Sequence, residues 1–257
     1  MLQLESLTTG YAGRMVGHQL SARLSSASLT ALVGPNGVGK STLLHTLTGR
    51  LAPLSGSLRV QGQLLSDLSL KERARRISVV LTQPVEFSHL TVRDVVELGR
   101  IPYTGLTGHL SETDHAIVAQ VLSQLSLQSM AHRYLHTLSD GERQRVMVAK
   151  ALAQQTPIIL LDEPTAFLDY PSKVEMLLLL RNLAHEQGKT VLLSTHDLEL
   201  ALRLCDHLWL LSPDGTLSEG SPRDFADNQL LDRLFSSDHL QFSTLLIIEH
   251  SPFKLNK

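Results

Sequence analysis

The stretch that decides the fold of this chain runs from Gly34 to Thr42 and reads GPNGVGKST. The residues LTALV at 29–33 come directly before it and predict a buried strand. The apolar pattern LLHTL at 43–47 follows it and predicts a helix. A strand, a glycine-rich loop and a helix in this order are the context that the phosphate-binding pattern G-x-x-x-x-G-K-[ST] requires. The complete pattern and its flanks disfavour the alternative of a glycine-rich turn without a ligand.

The residue types in this loop suit a nucleoside triphosphate. Its glycines let the backbone turn tightly and bring N–H groups close to phosphate oxygens, and the helix that follows points its positive end at the same anion. Lys40 supplies a mobile positive charge, the Ser41 hydroxyl suits Mg²⁺, and Thr42 can bind a phosphate oxygen. We expect the nucleotide to contact these loop residues: Gly34, Pro35, Asn36, Gly37, Gly39, Lys40, Ser41 and Thr42.

The overall composition is that of a globular protein with a sizeable core. The chain has 257 residues, of which 42% are hydrophobic, and its mean hydropathy is +0.03. Its net charge of −2 and the absence of a long basic run argue against nucleic acid as a partner. The single cysteine, Cys205, excludes an internal disulfide and fits a reducing compartment. We expect neither a signal peptide nor a membrane span, because the sequence has no charged flank before an apolar run and no apolar run of membrane length.

Strand and helix patterns alternate in the first 81 residues and again after residue 157, which predicts an α/β fold with a mainly parallel core sheet. Residues 90–152 carry helical patterns with little strand signal, and we interpret them as an inserted helical region. The long leucine face at 171–187 predicts a helix that ends at Gly188. The apolar run LLII at 245–248 is interpreted as a late strand.

A second stretch, IILLDE at 158–163, predicts a fully buried strand that ends in two acids. Strand ends of this kind lie at the carboxyl edge of the sheet, where ligands of doubly wound folds bind. Asp162 can hold Mg²⁺ there, and Glu163 can orient or deprotonate an attacking water molecule. The alternative is a pair of solvated acids, which the preceding apolar residues disfavour. For Tyr11, ordinary edge packing and a platform for a purine ring are both open, and the sequence alone favours packing.

Together these motifs resemble those of an ATP-binding cassette (ABC) ATPase, the nucleotide-hydrolysing subunit of an ABC transporter. The resemblance covers about residues 2–235 and rests on five ordered motifs: GPNGVGKST, Gln83, LSDGERQR at 138–145, ILLDEP at 159–164, and His196 within STHD. It implies a P-loop NTPase core with a mixed, mostly parallel sheet, an antiparallel β subdomain and a helical subdomain inserted at about 85–152. The ABC ATPase domain then comprises residues 1–235, and residues 236–257 form a C-terminal tail.

The resemblance also implies roles for individual residues. Tyr11 matches the residue that stacks on adenine, and Gln83 senses the γ-phosphate and Mg²⁺. Glu163 is the catalytic base, and His196 contacts the γ-phosphate and helps to hold the catalytic geometry. Ser139 and Gly141 of the signature motif and Asp169 of the loop at 166–169 contribute to nucleotide binding across a dimer. The implied cofactors are ATP and Mg²⁺, with Mg²⁺ held by Ser41, Gln83 and Asp162.

The signature motif departs from the usual LSGGQ and reads LSDGE at 138–142. Ser139 and Glu142 have the S-x-x-E spacing of a capping box, which predicts a helix start at this point. Asp140 in the first turn suits the helix dipole, and two positions are open for its carboxylate. Near a partner's γ-phosphate it would repel the like charge, whereas pointing to solvent it would have a small effect because water screens it. We therefore keep Ser139 and Gly141 as site residues and expect Asp140→Gly to tighten ATP-driven dimerisation.

The resemblance implies a head-to-tail sandwich dimer of two identical chains bound to integral-membrane permease subunits, and indirectly to a substrate-binding protein. Residues 96–103, VELGRIPY, are similar to a segment of bacterial importers for ferric siderophores, haem and cobalamin. From local physics alone, this segment predicts a helix that ends at Gly99, with Pro102 preventing its continuation. The implied location is peripheral, at the cytoplasmic face of the bacterial inner membrane.

Other functions share part of this pattern. A soluble ABC-type ATPase that acts as an assembly factor or scaffold would carry the same nucleotide motifs. A P-loop kinase or a GTPase-like switch is disfavoured by the signature motif and by the lack of an N-K-x-D pattern. The pair His132 and His136 has i, i+4 spacing, but no further ligands lie at matching spacing, so we expect no metal site there.

Overall fold

Two β-sheets and a set of helices form the part of the chain that the computed structural model describes, namely residues 2–81, 89–105, 108–235 and 243–249. The strands in chain order are β1 (Leu2–Tyr11), β2 (Arg14–Leu24), β3 (Leu29–Val33), β4 (Ser55–Val60), β5 (Gln63–Leu64), β6 (Ile77–Val80), β7 (Ile158–Leu161), β8 (Thr190–Ser194), β9 (His207–Leu211) and β10 (Leu217–Gly220). The α-helices are α1 (Lys40–Leu47), α2 (Leu70–Ala74), α3 (Val92–Glu97), α4 (Glu112–Gln124), α5 (Asp140–Ala153), α6 (Tyr170–Gln187), α7 (Leu198–Leu204), α8 (Pro222–Asn228), α9 (Leu230–Phe235) and α10 (Thr244–Glu249).

The larger sheet has six strands in the order β10-β9-β3-β8-β7-β6. All neighbouring strands run parallel except β10, which pairs antiparallel with β9. Every residue of β3, β7 and β8 is buried, because helices or the second sheet cover both faces. The predicted α/β fold with a mostly parallel core sheet is confirmed.

The smaller sheet is antiparallel, with the order β2-β1-β4-β5, and it agrees with the β subdomain that the resemblance implied. Helix α1 lies between the two sheets. Its side chains Leu43, Leu44 and Leu47 are buried in one apolar cluster with Leu4 of β1 and Leu160 of β7. Burial of apolar surface on both sides of α1 fixes the loop before it, because that loop must join β3 to a helix with a determined position.

Helices α3, α4 and α5 lie between β6 and β7 in the chain and pack against one another. Their buried apolar side chains belong to the same cluster that covers one face of the large sheet. The described part of the region predicted to be helical contains helices joined by loops, and its only β-structure is an isolated bridge between Thr91 and Tyr134. The beginning of the predicted insert, near residue 85, and Gln83 lie outside the described residues.

Two local predictions are wrong. The α-helix at 92–97 ends before Gly99, and the chain then continues as a 3₁₀-helix, Leu98–Tyr103, that contains Pro102. Pro102 therefore lies within this short 3₁₀-helix and does not end helical structure before it. The run LLII at 245–248 belongs to α10 and not to a strand. A short apolar run does not distinguish the two structures, and α10 is helical where it packs against α7 and α8.

The described part of the predicted tail is attached to the rest of the chain. The backbone N–H of Thr244, at the start of α10, donates a hydrogen bond of 2.9 Å to Asp232 Oδ1 in α9. The division of the chain at residue 235 stays a prediction. Among the described residues, no helix combines the length and the apolar character that crossing a membrane requires.

Candidate nucleotide-binding and catalytic site

Three adjacent strands bring the predicted site residues to one edge of the large sheet. Strands β3, β8 and β7 are neighbours in this order, and their parallel register pairs Leu32 with Ser194 and Leu161 with Leu193. The residues that follow each strand therefore emerge side by side at the carboxyl edge. This arrangement brings the phosphate loop, the acidic pair and the loop that carries His196 together.

The phosphate loop has a backbone that only glycine adopts readily. Gly34, Gly37 and Gly39 have φ angles of +151°, +76° and +113°. A Cβ atom on Gly39 would lie 2.0 Å from Val16 Cγ1, so packing against β2 excludes a side chain there. Gly39 is also the N-cap of α1 and offers no side-chain acceptor, which leaves the first N–H groups of the helix available to an anion.

The Lys40 side chain folds back along the inside of this loop. It is only 7% exposed, and its Nζ donates to the carbonyl oxygens of Gly34 (2.8 Å) and Pro35 (3.1 Å). Burial lowers the pKa of Lys40, and the negative charges of Glu163 and Asp162 partly oppose this shift. A buried ammonium group with carbonyl partners compensates an incoming anion better than an exposed one, because water screens it less.

Asp162 is held by two hydroxyl groups. Ser194 Oγ donates to Asp162 Oδ1 at 2.6 Å, and Ser41 Oγ lies 3.4 Å from the same oxygen. A carboxylate and a hydroxyl in contact at the end of a phosphate loop form the oxygen-donor set that Mg²⁺ prefers, with phosphate and water as its other ligands. No group of three or more histidine, cysteine or acidic side chains in the described ranges could hold a metal ion by itself.

Glu163 and His196 meet above this pair. Their side chains approach to 3.4 Å between Oε2 and Nδ1, and both are partly open to solvent. Glu163 has a left-handed backbone, with φ at +48°, and its N–H donates to Ser194 Oγ at 2.9 Å. The strained backbone therefore has a defined partner that holds it in place, as is common at functional sites.

Tyr11 lies at the end of β1, where the turn to β2 passes beside the phosphate loop. Tyr11 is 51% exposed, so contacts within the chain leave about half of its surface uncovered. A cavity of about 310 Å³ lies between this turn and the loop, and its lining includes Arg14, Val16 and Asn36. Tyr11 is not among the residues that line this cavity, and stacking of a base on its half-exposed ring stays a prediction.

Comparisons with known proteins show the family of this chain. The sequence profile described as "ABC transporter" matches residues 18–166. The chain belongs to the ABC transporter family. It is 35% identical over 237 residues to the iron(3+)-hydroxamate import ATP-binding protein of Bacillus subtilis (strain 168), covering 92% of this chain and 88% of that protein.

Two solved structures of ABC proteins are similar as well. One is an ABC transporter of the metal-chelate type in an inward-facing conformation, with a TM-score of 0.81, 30% identity, and coverage of 93% of this chain and 89% of that chain. The other is a dimeric ATP-binding cassette bound to ADP and Pi in a post-hydrolysis state, with a TM-score of 0.75, 29% identity, and coverage of 86% and 98%. The chain is therefore an ABC ATPase with a P-loop fold.

The signature motif of this ABC cassette begins α5. Ser139 Oγ accepts from the N–H of Glu142 (3.3 Å), and Glu142 Oε2 accepts from the N–H of Ser139 (2.8 Å), so the predicted capping box is confirmed. These bonds lower the pKa of the Glu142 carboxyl. None of the hydrogen bonds described for Ser139 reaches the phosphate loop of the same chain. The signature motif therefore forms the start of α5 and is not hydrogen-bonded through Ser139 to the phosphate loop of its own chain.

The loop at 166–169 connects the acidic pair to α6. Asp169 is the N-cap of α6 and accepts from the N–H of Ser172 at 3.0 Å. Hydrogen bonds from the side chain and then from the backbone N–H of Ser172 lower the pKa of Asp169. A Cβ atom on Gly141 would lie 3.5 Å from Leu168 Cδ2, so this loop touches the signature motif. The structure therefore brings Gly141 and the loop of Asp169 together.

Sequence reasoning missed one site residue, Ser194. It is completely buried and joins Asp162 to the backbone of Glu163. The available signal was a polar residue at the end of the apolar strand that precedes His196.

The segment similar to metal-chelate importers is explained largely by contacts within the cassette. A Cβ atom on Gly99 would lie 2.3 Å from the carbonyl oxygen of Lys150. The backbone at Gly99 therefore lies too close to α5 to leave room for a side chain. Arg100 is buried and bonds Asp114 at 2.8 Å, and Tyr103 Oη donates to the carbonyl oxygen of Gln154. These residues attach the 3₁₀-helix to the end of α5.

Proposed function

We propose that this chain hydrolyses ATP with Mg²⁺ and thereby powers the import of a metal chelate, such as an iron siderophore, haem or cobalamin, through a membrane permease. One observation carries the catalytic part. Ser41, Asp162, Glu163 and His196 converge at the edge of the sheet beside the buried Lys40. This arrangement has a group for each requirement of phosphoryl transfer to water.

In the proposed mechanism the chain's own residues bind the phosphates, orient the attacking water and accept its proton. Lys40 and the N–H groups at the start of α1 neutralise the phosphates, and Ser41 and Asp162 would hold Mg²⁺, with Gln83 as the further ligand that the family resemblance implies. When bound, Mg²⁺ neutralises charge that develops on the phosphate oxygens. Glu163 accepts the proton of the attacking water, while His196 contacts the γ-phosphate and positions Glu163. Tyr11 stacks on the adenine.

We further propose a head-to-tail dimer. Among the described contacts, no hydrogen bond joins the signature residues Ser139 and Gly141 to the phosphate loop of their own chain, and Leu168 of the neighbouring loop lies against Gly141. A second copy would place this motif against the nucleotide of its partner. The dimeric cassette to which this chain is similar supports that arrangement.

The proposal that the transport substrate is a metal chelate rests on similarity to known proteins. The Bacillus subtilis relative is an iron(3+)-hydroxamate import protein, and one similar structure is a transporter of the metal-chelate type. We infer peripheral attachment to permease subunits at the cytoplasmic face of the membrane, with a substrate-binding protein as an indirect partner.

The catalytic proposal is tested with Glu163→Gln. We expect this variant to bind Mg-ATP but to hydrolyse it at least about 100-fold more slowly, since it cannot accept a proton. Glu186→Gln, at an exposed site near the end of α6, is the matched control and should keep full activity. Unchanged hydrolysis by Glu163→Gln would remove Glu163 from its proposed role.

The transport proposal is tested by purifying the Glu163→Gln variant from its native membrane in mild detergent and in the presence of ATP. The proteins that are recovered together with the variant are then identified. We expect a polytopic membrane protein to be recovered in stoichiometric amount, and its sequence would narrow the substrate. Recovery with partners that lack membrane spans would contradict transport and favour an assembly factor or scaffold.

A further inference from the structure

The start of α5 carries an acid at the position where the usual signature has a glycine, and the structure gives this acid a partner. Asp140 Oδ1 lies 3.1 Å from Arg143 Nη1, and the Asp140 side chain is 65% exposed. The other nitrogen of the same guanidinium, Nη2, donates to the carbonyl oxygen of Leu138 at 3.2 Å. Arg143 therefore spans the helix start and holds Asp140 from one side.

The remaining acid of the motif is paired as well. Glu142 is engaged in the capping box with Ser139 and lies 3.8 Å from Arg133. A third cation, Arg145, contacts Glu175 of α6. Each cation at this helix start thus has an acidic partner of its own, and Arg143 is the one that contacts Asp140.

This pairing matters if the proposed dimer forms, on which the present inference rests. In that dimer the start of α5 faces the triphosphate held by the second copy. An Asp140 carboxylate pointing at that triphosphate would repel it, and the repulsion grows as water is excluded from the closed interface. A carboxylate held against a guanidinium contributes little net charge.

We propose that Arg143 is a positioning residue that draws Asp140 aside and neutralises it, so that Ser139 and Gly141 can approach the partner's nucleotide. The departure from the usual glycine is then compensated within the same helix turn. The effect of replacing Asp140 alone is accordingly small, because Arg143 has already removed most of the repulsion. This revises the expectation that Asp140→Gly tightens ATP-driven dimerisation.

A double-mutant cycle in the Glu163→Gln background tests this proposal. The variants are Arg143→Ala, Asp140→Asn and the two combined, and the measurement is the Mg-ATP concentration that gives half-maximal dimer in analytical ultracentrifugation. Arg143→Ala should raise this concentration about fivefold to tenfold, since it exposes the carboxylate. In the presence of Asp140→Asn the same change should raise it less than about twofold.

Two further variants separate positioning from general effects. Arg145→Ala also removes one positive charge from α5 but leaves the Asp140 pair intact, and it should shift the midpoint less than about twofold. Arg143→Lys keeps a charge that can pair with Asp140, and it should restore most of the affinity even if Arg143→Ala lowers the thermal stability.

Three outcomes would overturn the proposal. If Arg143→Ala raised the Mg-ATP midpoint equally with Asp140 present and in the Asp140→Asn variant, Arg143 would act directly on the nucleotide or on folding. No effect of Arg143→Ala would mean that the Asp140 carboxylate needs no compensation. Failure of the Glu163→Gln parent to dimerise with Mg-ATP would refute the dimer itself, and it would be seen before any Arg143 variant is made.

Discussion

Replacing Ser194 by alanine removes the hydroxyl that connects the two acids of the site. This hydroxyl donates to Asp162 at 2.6 Å and accepts from the N–H of Glu163 at 2.9 Å, and the residue is completely buried. A hydrogen bond to a charged group contributes about 1.5–3 kcal/mol, and leaving a buried N–H without an acceptor costs about 1–3 kcal/mol. Because the two effects are not additive, we expect Ser194→Ala to lower the free energy of unfolding by about 2–4 kcal/mol.

The same change should weaken Mg²⁺ binding more than nucleotide binding. Asp162 would lose the bond that orients it, and loss of such a supporting bond reduces metal affinity by about 10- to 100-fold. The assays are thermal unfolding, where each kcal/mol lowers Tm by about 2–4 °C in a chain of this size, and ATP hydrolysis as a function of Mg²⁺ concentration. ATP binding measured without Mg²⁺ should change little, because the phosphate loop is untouched.

Ser78→Ala is the matched control for Ser194→Ala. Ser78 is equally buried, but it lies on β6 and its hydroxyl contacts the neutral hydroxyl of Thr156 at 3.0 Å. Its replacement should cost about 0.5–1.5 kcal/mol and leave the Mg²⁺ midpoint unchanged. If Ser194→Ala kept the wild-type Mg²⁺ midpoint, Ser194 would not orient Asp162 for the metal, and the reasoning would be refuted.

Three further predictions test other parts of the structure. Gly99→Ala places a methyl group against a carbonyl oxygen of α5 and should lower Tm by several degrees. Gly105→Ala, which meets no atom of the described residues within 4 Å, should not, and equal Tm values would contradict the close approach. Hydrogen bonds from Ser111, followed by Arg100, lower the pKa of Asp114 to about 2. Its stabilisation should therefore be complete above about pH 4 and fall as the pH drops toward 2, so the Tm difference between wild type and Asp114→Asn should shrink over that range. Lys40→Met should weaken ATP binding about 100-fold in calorimetry, since it removes the buried positive charge beside the phosphates; retained affinity would exclude the proposed role.

The features that could be predicted from the sequence depend on neighbours in the chain. The phosphate loop, the capping box at Ser139 and the end of α6 at Gly188 each require a few residues at fixed spacing, and all three are present as predicted. Ser194 could not be predicted in this way, because its role depends on β8 lying beside β7. The conformation of residues 244–249 was likewise decided by packing against α7 and α8.

The sequence by itself determined the chemistry available to this protein. The order of the motifs identified the phosphate loop, the acidic strand end and the signature helix, because backbone conformation and capping are set by residues close together in the chain. Only the tertiary structure decided which groups meet. The parallel register of β3, β8 and β7 brought Ser41, Asp162 and Ser194 into contact. Contacts between strands and the directions of side chains depend on packing the whole core, and no local pattern contains that information.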